Sequence, residues 1–197
     1  PAEALAQAGG FDPVPDEPMP PKETLGFRVQ RYGMLKWGDL FNSRQKLALI
    51  TFVEKVREAG ERIQETVDRI QDKEYKEYAK AVVSYLAFGI NRLATYLVVL
   101  TRWRSDVLSF ERAFDRQALP MVWDYGEVSP FSDARGSWDL EPMLEALKHI
   151  SKIFPPATVN QSSATSLTYP DNFFDAVITD PPYYDNVPYS YLSEFKE

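Results

Sequence analysis

From Ser43 onward, Leu47, Ile50, Val53 and Val56 fall at three-residue steps beside Leu49, Phe52 and Ala59, an apolar stripe of helical period. Asn42 offers an N-cap and Gln45 stands three residues later in capping-box position. The pattern predicts a helix over 43–70, with a break admissible at Gly60. A second stripe, Leu86, Ile90, Leu93, Leu97 and Leu100, is spaced four, three, four and three, which predicts a helix over 72–104 with a continuous buried seam. Short connection at Gln71-Asp72-Lys73 makes the pair an antiparallel hairpin.

The flanking segments read differently. Residues 1–32 carry Pro13, Pro15, Pro18, Pro20 and Pro21 with few aliphatic residues, the composition of an extended linker. Tyr32 to Phe41 combines two glycines with aromatics and reads as a shaped turn that packs onto something. Residues 106–136 alternate aromatics with turn formers and show no clean period, so an irregular stretch is expected after a short helix at 107–116. Ser137 or Asp139 can cap another helix, lined by Leu140, Leu144, Leu147 and Phe154, with Pro142 in its first turn. Residues 157–160 predict a weak strand and 174–179 a better one, entered through the turn Tyr169-Pro170-Asp171-Asn172. The fold expected is mainly α with a small α/β portion. Its divisions are a linker at 1–32, a helical domain at 33–156 and a partial α/β domain at 157–197.

Composition narrows this picture. The 197 residues, 44% of them hydrophobic and 26% charged, are ordinary globular usage. A formal net charge of -7 argues against a free-standing basic surface that tracks phosphates. No cysteine is present, which removes disulfides, thiolate zinc sites and Cys nucleophiles from consideration. No run of apolar residues is long enough for a membrane helix and no basic signal region opens the chain. The expectation is a soluble, cytoplasmic protein without membrane attachment. Starting at Pro1 and stopping soon after its most informative motif, the chain reads as a fragment.

That motif is Asp180-Pro181-Pro182-Tyr183, one residue after the apolar run Ala176-Val177-Ile178. Four specified residues in a row arise by chance in on the order of one in a thousand chains of this length. A proline-rich β-turn capped by an aspartate is the bland alternative. The carboxyl end of a parallel strand is where α/β sheets bind ligands. Successive prolines leave the Asp180 and Pro181 carbonyls without competing donors and stiffen the bend. Tyr183 adds a flat face for stacking on a planar ring.

Asp-Pro-Pro-Tyr resembles the catalytic motif of amino-methyltransferases that methylate the exocyclic amino group of adenine, less often cytosine, in DNA with S-adenosylmethionine. The blocks Trp37 to Gln45, Arg116 to Tyr125 and Thr179 to Tyr189 are similar to the large prokaryotic proteins described as adenine-specific DNA methylases, which carry a long helical insertion. The resemblance covers about residues 32–195.

It implies part of a Rossmann-like sheet, S-adenosylmethionine as cofactor, DNA as partner, and Asp180, Pro181, Pro182 and Tyr183 as catalytic residues. Hydrogen bonds from the target amino group to the Asp180 carboxylate and the Pro181 carbonyl would aim its lone pair at the methyl sulfonium. Tyr183 would stack on a base flipped out of the duplex. Tyr184, Asp185, Asn186 and Tyr189 would shape the base pocket, with loop packing as the alternative. Ser163 and Ala164 occupy the place where such enzymes turn towards the cofactor, although an ordinary polar turn fits them equally.

Two departures from the family stand out. None of the nine glycines forms the Phe-x-Gly-x-Gly cofactor loop, so the isolated chain is expected to be inactive, and no cysteine can supply a zinc ribbon, so no metal is expected. His149, the only histidine, reads as a surface or packing residue. Arg102 and Arg104 flank Trp103, where a helix-end role outweighs contact with phosphates. Two readings compete with DNA methylation: methyl transfer to RNA or protein amide groups, and a non-catalytic interaction module built on the helical hairpin.

Overall fold

A computed structural model describes residues 14–24, 26–70, 72–115, 118–155, 157–183 and 189. Among the described residues the chain is mainly helical with one small antiparallel sheet. It forms two compact units, the larger one including the described residues up to Asp139 and the smaller one beginning at Leu140.

In the larger unit, α1 (Ser43–Ile70) and α2 (Lys73–Ala94) form the expected antiparallel hairpin. The capping box is present: Asn42 Oδ1 accepts from the Arg44 and Gln45 amides at 2.9 Å, and Gln45 Oε1 accepts from the Asn42 amide at 3.0 Å. These contacts satisfy donors that the first helical turn leaves open. At the start of α2 the Asp72 carboxylate does the same for Glu74 and Tyr75. Gly60 does not break α1. It faces Val83, whose methyl groups would lie 3.6 and 3.7 Å from a Cβ at that position.

α2 ends at Ala94, ten residues short of its expected end at 104. Tyr96 through Thr101 are all buried, none more than 8% exposed. A helix cannot turn six successive residues to one core, and β-branched Thr95, Val98, Val99 and Thr101 weaken helical preference. The Thr101 hydroxyl closes the turn on the Tyr96 and Val98 carbonyls, each at 2.8 Å.

A hairpin of β1 (Arg102–Arg104) and β2 (Ser109–Glu111) follows. The short helix expected at 107–116 is therefore corrected to a turn and a strand. Cross-strand pairing of Trp103 with Phe110, ring centroids 5.0 Å apart, and of Arg102 with Glu111 outweighs the local helical pattern.

The core sits at the base of the helical hairpin and joins Phe27, Val29, Trp37 and Leu40 to Val98, Val99, Leu100 and Leu119. Residues 14–32 thus correct the linker expectation wherever they are described. The Met19 amide donates to Leu35 O at 2.7 Å, and the Gly38 amide to Pro15 O at 3.0 Å. That approach requires a glycine at 38, because a Cβ there would lie 2.6 Å from Pro15 O. Phe27 bridges Leu119 in parallel fashion. Two single turns of 3-10 helix, Val29–Tyr32 and Trp37–Leu40, deliver the buried side chains, with Gly33 at φ 92 between them.

The smaller unit contains α3 (Glu141–Ile150), with Pro142 in its first turn as expected and no buried residue. Phe154 lies beyond its end and is exposed. The strands expected at 157–160 and 174–179 are absent: both stretches lack regular structure and are exposed throughout. Strand pattern alone does not make a strand, since the backbone needs a neighbour to pair with. No described segment pairs with either stretch.

Replacing Asn42 with Ala removes the acceptor for two helix-start amides. It is expected to lower unfolding stability by about 1 kcal/mol, measured as a shifted urea midpoint with unchanged slope.

Candidate functional site

Asp180, Pro181, Pro182 and Tyr183 lie on the smaller unit in a stretch without secondary structure, and all four are exposed. The Asp180 carboxylate has no ion-pair or hydrogen-bond partner among the described residues. Tyr183 is 61% exposed. Pro181 and Pro182 contribute carbonyls but no N–H, so acceptors outnumber donors in this segment, which ends in an aromatic ring. A neutral planar group bearing two N–H donors fits such a set of acceptors.

Of the proposed pocket residues, Tyr184, Asp185 and Asn186 lie outside the described residues, while Tyr189 is described and 45% exposed. Ser163 and Ala164 sit in a polar turn. The Ser166 amide donates to Ser163 O at 3.2 Å, and the Ser163 hydroxyl shares a hydrogen bond with the Thr165 hydroxyl at 2.9 Å. This turn satisfies itself, the ordinary behaviour of Ser-rich connections. Just after it, Tyr169, Phe173 and Phe174 gather with ring centroids 4.7 to 5.1 Å apart. Asn172 adopts a left-handed φ of 59, and Asn160 donates to the Tyr169 hydroxyl at 2.9 Å. This knot of three rings lies between α3 and Asp180.

The remaining candidates resolve simply. His149 is exposed in the last turn of α3. Among the described residues no cluster of His, Asp and Glu could hold a metal ion. No helix among them is long and apolar enough to cross a membrane. Arg102 and Arg104 do not end a helix; they lie on β1 and are paired with Glu111 and Asp106. Hydrogen bonding from Arg104 is the main cause that holds the Asp106 carboxyl below the ordinary aspartate range, and the same contact raises the Arg104 guanidinium.

A second polar constellation went unrecognised in the pattern of the sequence. Arg44 grips the Glu127 carboxylate through Nε and a terminal nitrogen at 3.0 and 3.1 Å. Asn42 Nδ2 donates to that carboxylate and to the Tyr125 hydroxyl. Beside it lies a cavity of about 300 Å³ bordered by Gln45, Leu97, Val128 and Pro130. These contacts tie the block around Asn42 to the block around Tyr125, more than eighty residues apart in sequence. Nothing local in either block reveals that they meet.

No protein-family model matches the chain, and neither a curated protein nor a solved structure shows significant similarity to it.

Two outcomes follow from exposure and charge. Asp180→Ala is expected to change unfolding stability by less than about 0.5 kcal/mol in urea denaturation, because the side chain touches no described partner. The Asp106 carboxylate favours the folded hairpin above the ordinary aspartate range, and that contribution is lost as pH falls through its lowered value. In an NMR titration, Arg104→Ala is expected to move the Asp106 midpoint upward.

Proposed function

We propose that the chain carries the acceptor-binding part of an S-adenosylmethionine-dependent DNA amino-methyltransferase, acting on the exocyclic nitrogen of adenine and less readily of cytosine. The observation that carries this reading is the exposed Asp180-Pro181-Pro182-Tyr183 segment, whose carboxylate has no partner among the described residues. Asp180 and the Pro181 carbonyl accept the two amino hydrogens, which favours a tetrahedral nitrogen with its lone pair aimed outward. Tyr183 stacks on the base once it has left the duplex. Bound S-adenosylmethionine supplies the electrophilic methyl group.

Within this reading, residues 174–179 form the strand of a Rossmann-like sheet that ends at Asp180 once neighbouring strands pair with it. The fit to the cofactor is incomplete in this chain. Its turn at Ser163 uses its own hydroxyl internally, and no Phe-x-Gly-x-Gly loop is present in the sequence. Methyl transfer is thus assigned to a protein in which such a loop accompanies these residues.

The alternative, a helical interaction module, is favoured by one specific observation: the apolar residues between α1 and α2 are only partly covered. Methyl transfer to RNA or to protein amides rests on the same acceptor geometry and has no separate observation behind it.

The test is incorporation of labelled methyl groups into unmethylated duplex DNA by a protein joining these residues to the cofactor loop. Asp180→Ala is expected to lower the rate by about a hundredfold or more, the scale for removing one preorganised polar contact. Equal incorporation by both proteins would remove Asp180 from the chemistry.

A further inference from the structure

The helical hairpin has one face that its own side chains do not close. Two cavities of about 490 Å³ each run end to end along it and meet at Gly60 and Val83. Val53, Val56 and Ile63 from α1 face Val83, Ala87 and Ile90 from α2 across this groove. Over eleven residues of α1 its length is about 17 Å, three turns of helix. Between Ile50 and Val67 no residue of α1 is fully buried, so the seam remains partly open to water. An apolar groove of this kind is completed by another helical layer.

The rim carries a charge pattern that a second copy can match. Arg57 and Glu61 stand one turn apart on the groove side of α1, opposite in charge, exposed and without ion-pair partners among the described residues. A two-fold axis crossing α1 at the level of Ala59 and Gly60 sets each Arg57 against Glu61 of a second copy, and does so twice. Such a self-complementary patch is the requirement of an isologous dimer. At the same level Gly60 has no side chain, and the nearest neighbours of a Cβ there would be the Val83 methyl groups.

We infer that this groove is the self-association surface of the protein: a second copy of the α1–α2 hairpin seats on it face to face, forming a four-helix bundle locked by two Arg57–Glu61 pairs. This goes beyond methyl transfer and does not depend on it, since the hairpin belongs to the larger unit and the Asp180 bend to the smaller one.

Sedimentation equilibrium of the whole chain tests the inference. A monomer–dimer equilibrium is expected. Arg57→Glu places like charges opposite each other and should raise the dissociation constant at least about tenfold. Combining Arg57→Glu with Glu61→Arg restores the pairing with reversed sign and should bring association back near the wild-type value. Both positions are exposed, so circular dichroism should confirm that each variant keeps its helices. Ala87→Glu, placed in the groove wall, should abolish the dimer. A wild-type chain that stays monomeric at the highest attainable concentration overturns the inference, and so does a dimer indifferent to Arg57→Glu or not recovered by the double change. A monomer that instead takes up an unrelated amphipathic helical peptide in the groove also overturns it.

Discussion

The fold of the larger unit depends on what holds the base of its helical hairpin. Along most of their length α1 and α2 bury little: only Gln45, Ile50 and Val67 are buried in the first, and Ala79, Gly89 and Leu93 in the second. Two helices alone would be marginal at that level of burial. Below them, six successive residues from Tyr96 to Thr101 are driven into the core, where the Val99 amide donates to Leu40 O at 2.9 Å. That bond ties the chain leaving α2 to the chain entering α1. Both roots of the hairpin are thereby fixed, and the segment from residue 14 to Phe41 is recruited as the layer that covers Val98 and Leu100.

Elements governed by local rules were legible in the sequence. The start of α1 could be read from Asn42 and Gln45 because capping is a contact across three residues, and Pro142 marked the first turn of α3 because its fixed φ and missing N–H cost nothing there. The mistaken end of α2 shows where such reading stops. Leu97 and Leu100 keep the helical period, yet Val98 and Val99 between them are equally buried, and burial on every side is decided by the layer they meet rather than by spacing. Trp103 and Phe110 pair across a turn for a comparable reason. The prolines of 13–21 suggested a linker because proline removes donors. The donors that matter here are the amides of Met19, Trp37 and Gly38, which cross-link the segment to residues 35–38 despite its prolines.

The candidate site divides along the same line. Asp180, Pro181, Pro182 and Tyr183 stand out in the sequence because the motif is contiguous, and all four are exposed. The Asn42, Arg44, Tyr125 and Glu127 network was not readable, since it depends on two blocks meeting through the fold. Its bidentate contact is partly exposed, with 32% of the Glu127 side chain and 77% of the Arg44 side chain open to water. It therefore serves to fix the start of α1 against the irregular segment more than to add stability.

The exposed stretch ahead of Asp180 gives the acceptor reading its physical structure. Successive residues of a strand point to opposite faces, so Val177 and Ile178, both large and β-branched, demand cover on two sides. Here they are 70% and 96% exposed. Pro181 and Pro182 need no such cover, because their rings fix the backbone without neighbours. The motif thus combines two kinds of order. Stiffness is written into the two prolines, whereas aim would require, under the proposed function, a sheet pairing with residues 174–179, which no described segment supplies. Positioning catalysis needs both, because a carboxylate that is rigid relative to its own loop but free relative to the cofactor gains little of the advantage of a fixed attack geometry. Under the proposed function, the missing cofactor loop and the unpaired stretch 174–179 are one requirement seen twice: the surface holding the methyl donor would also orient Asp180.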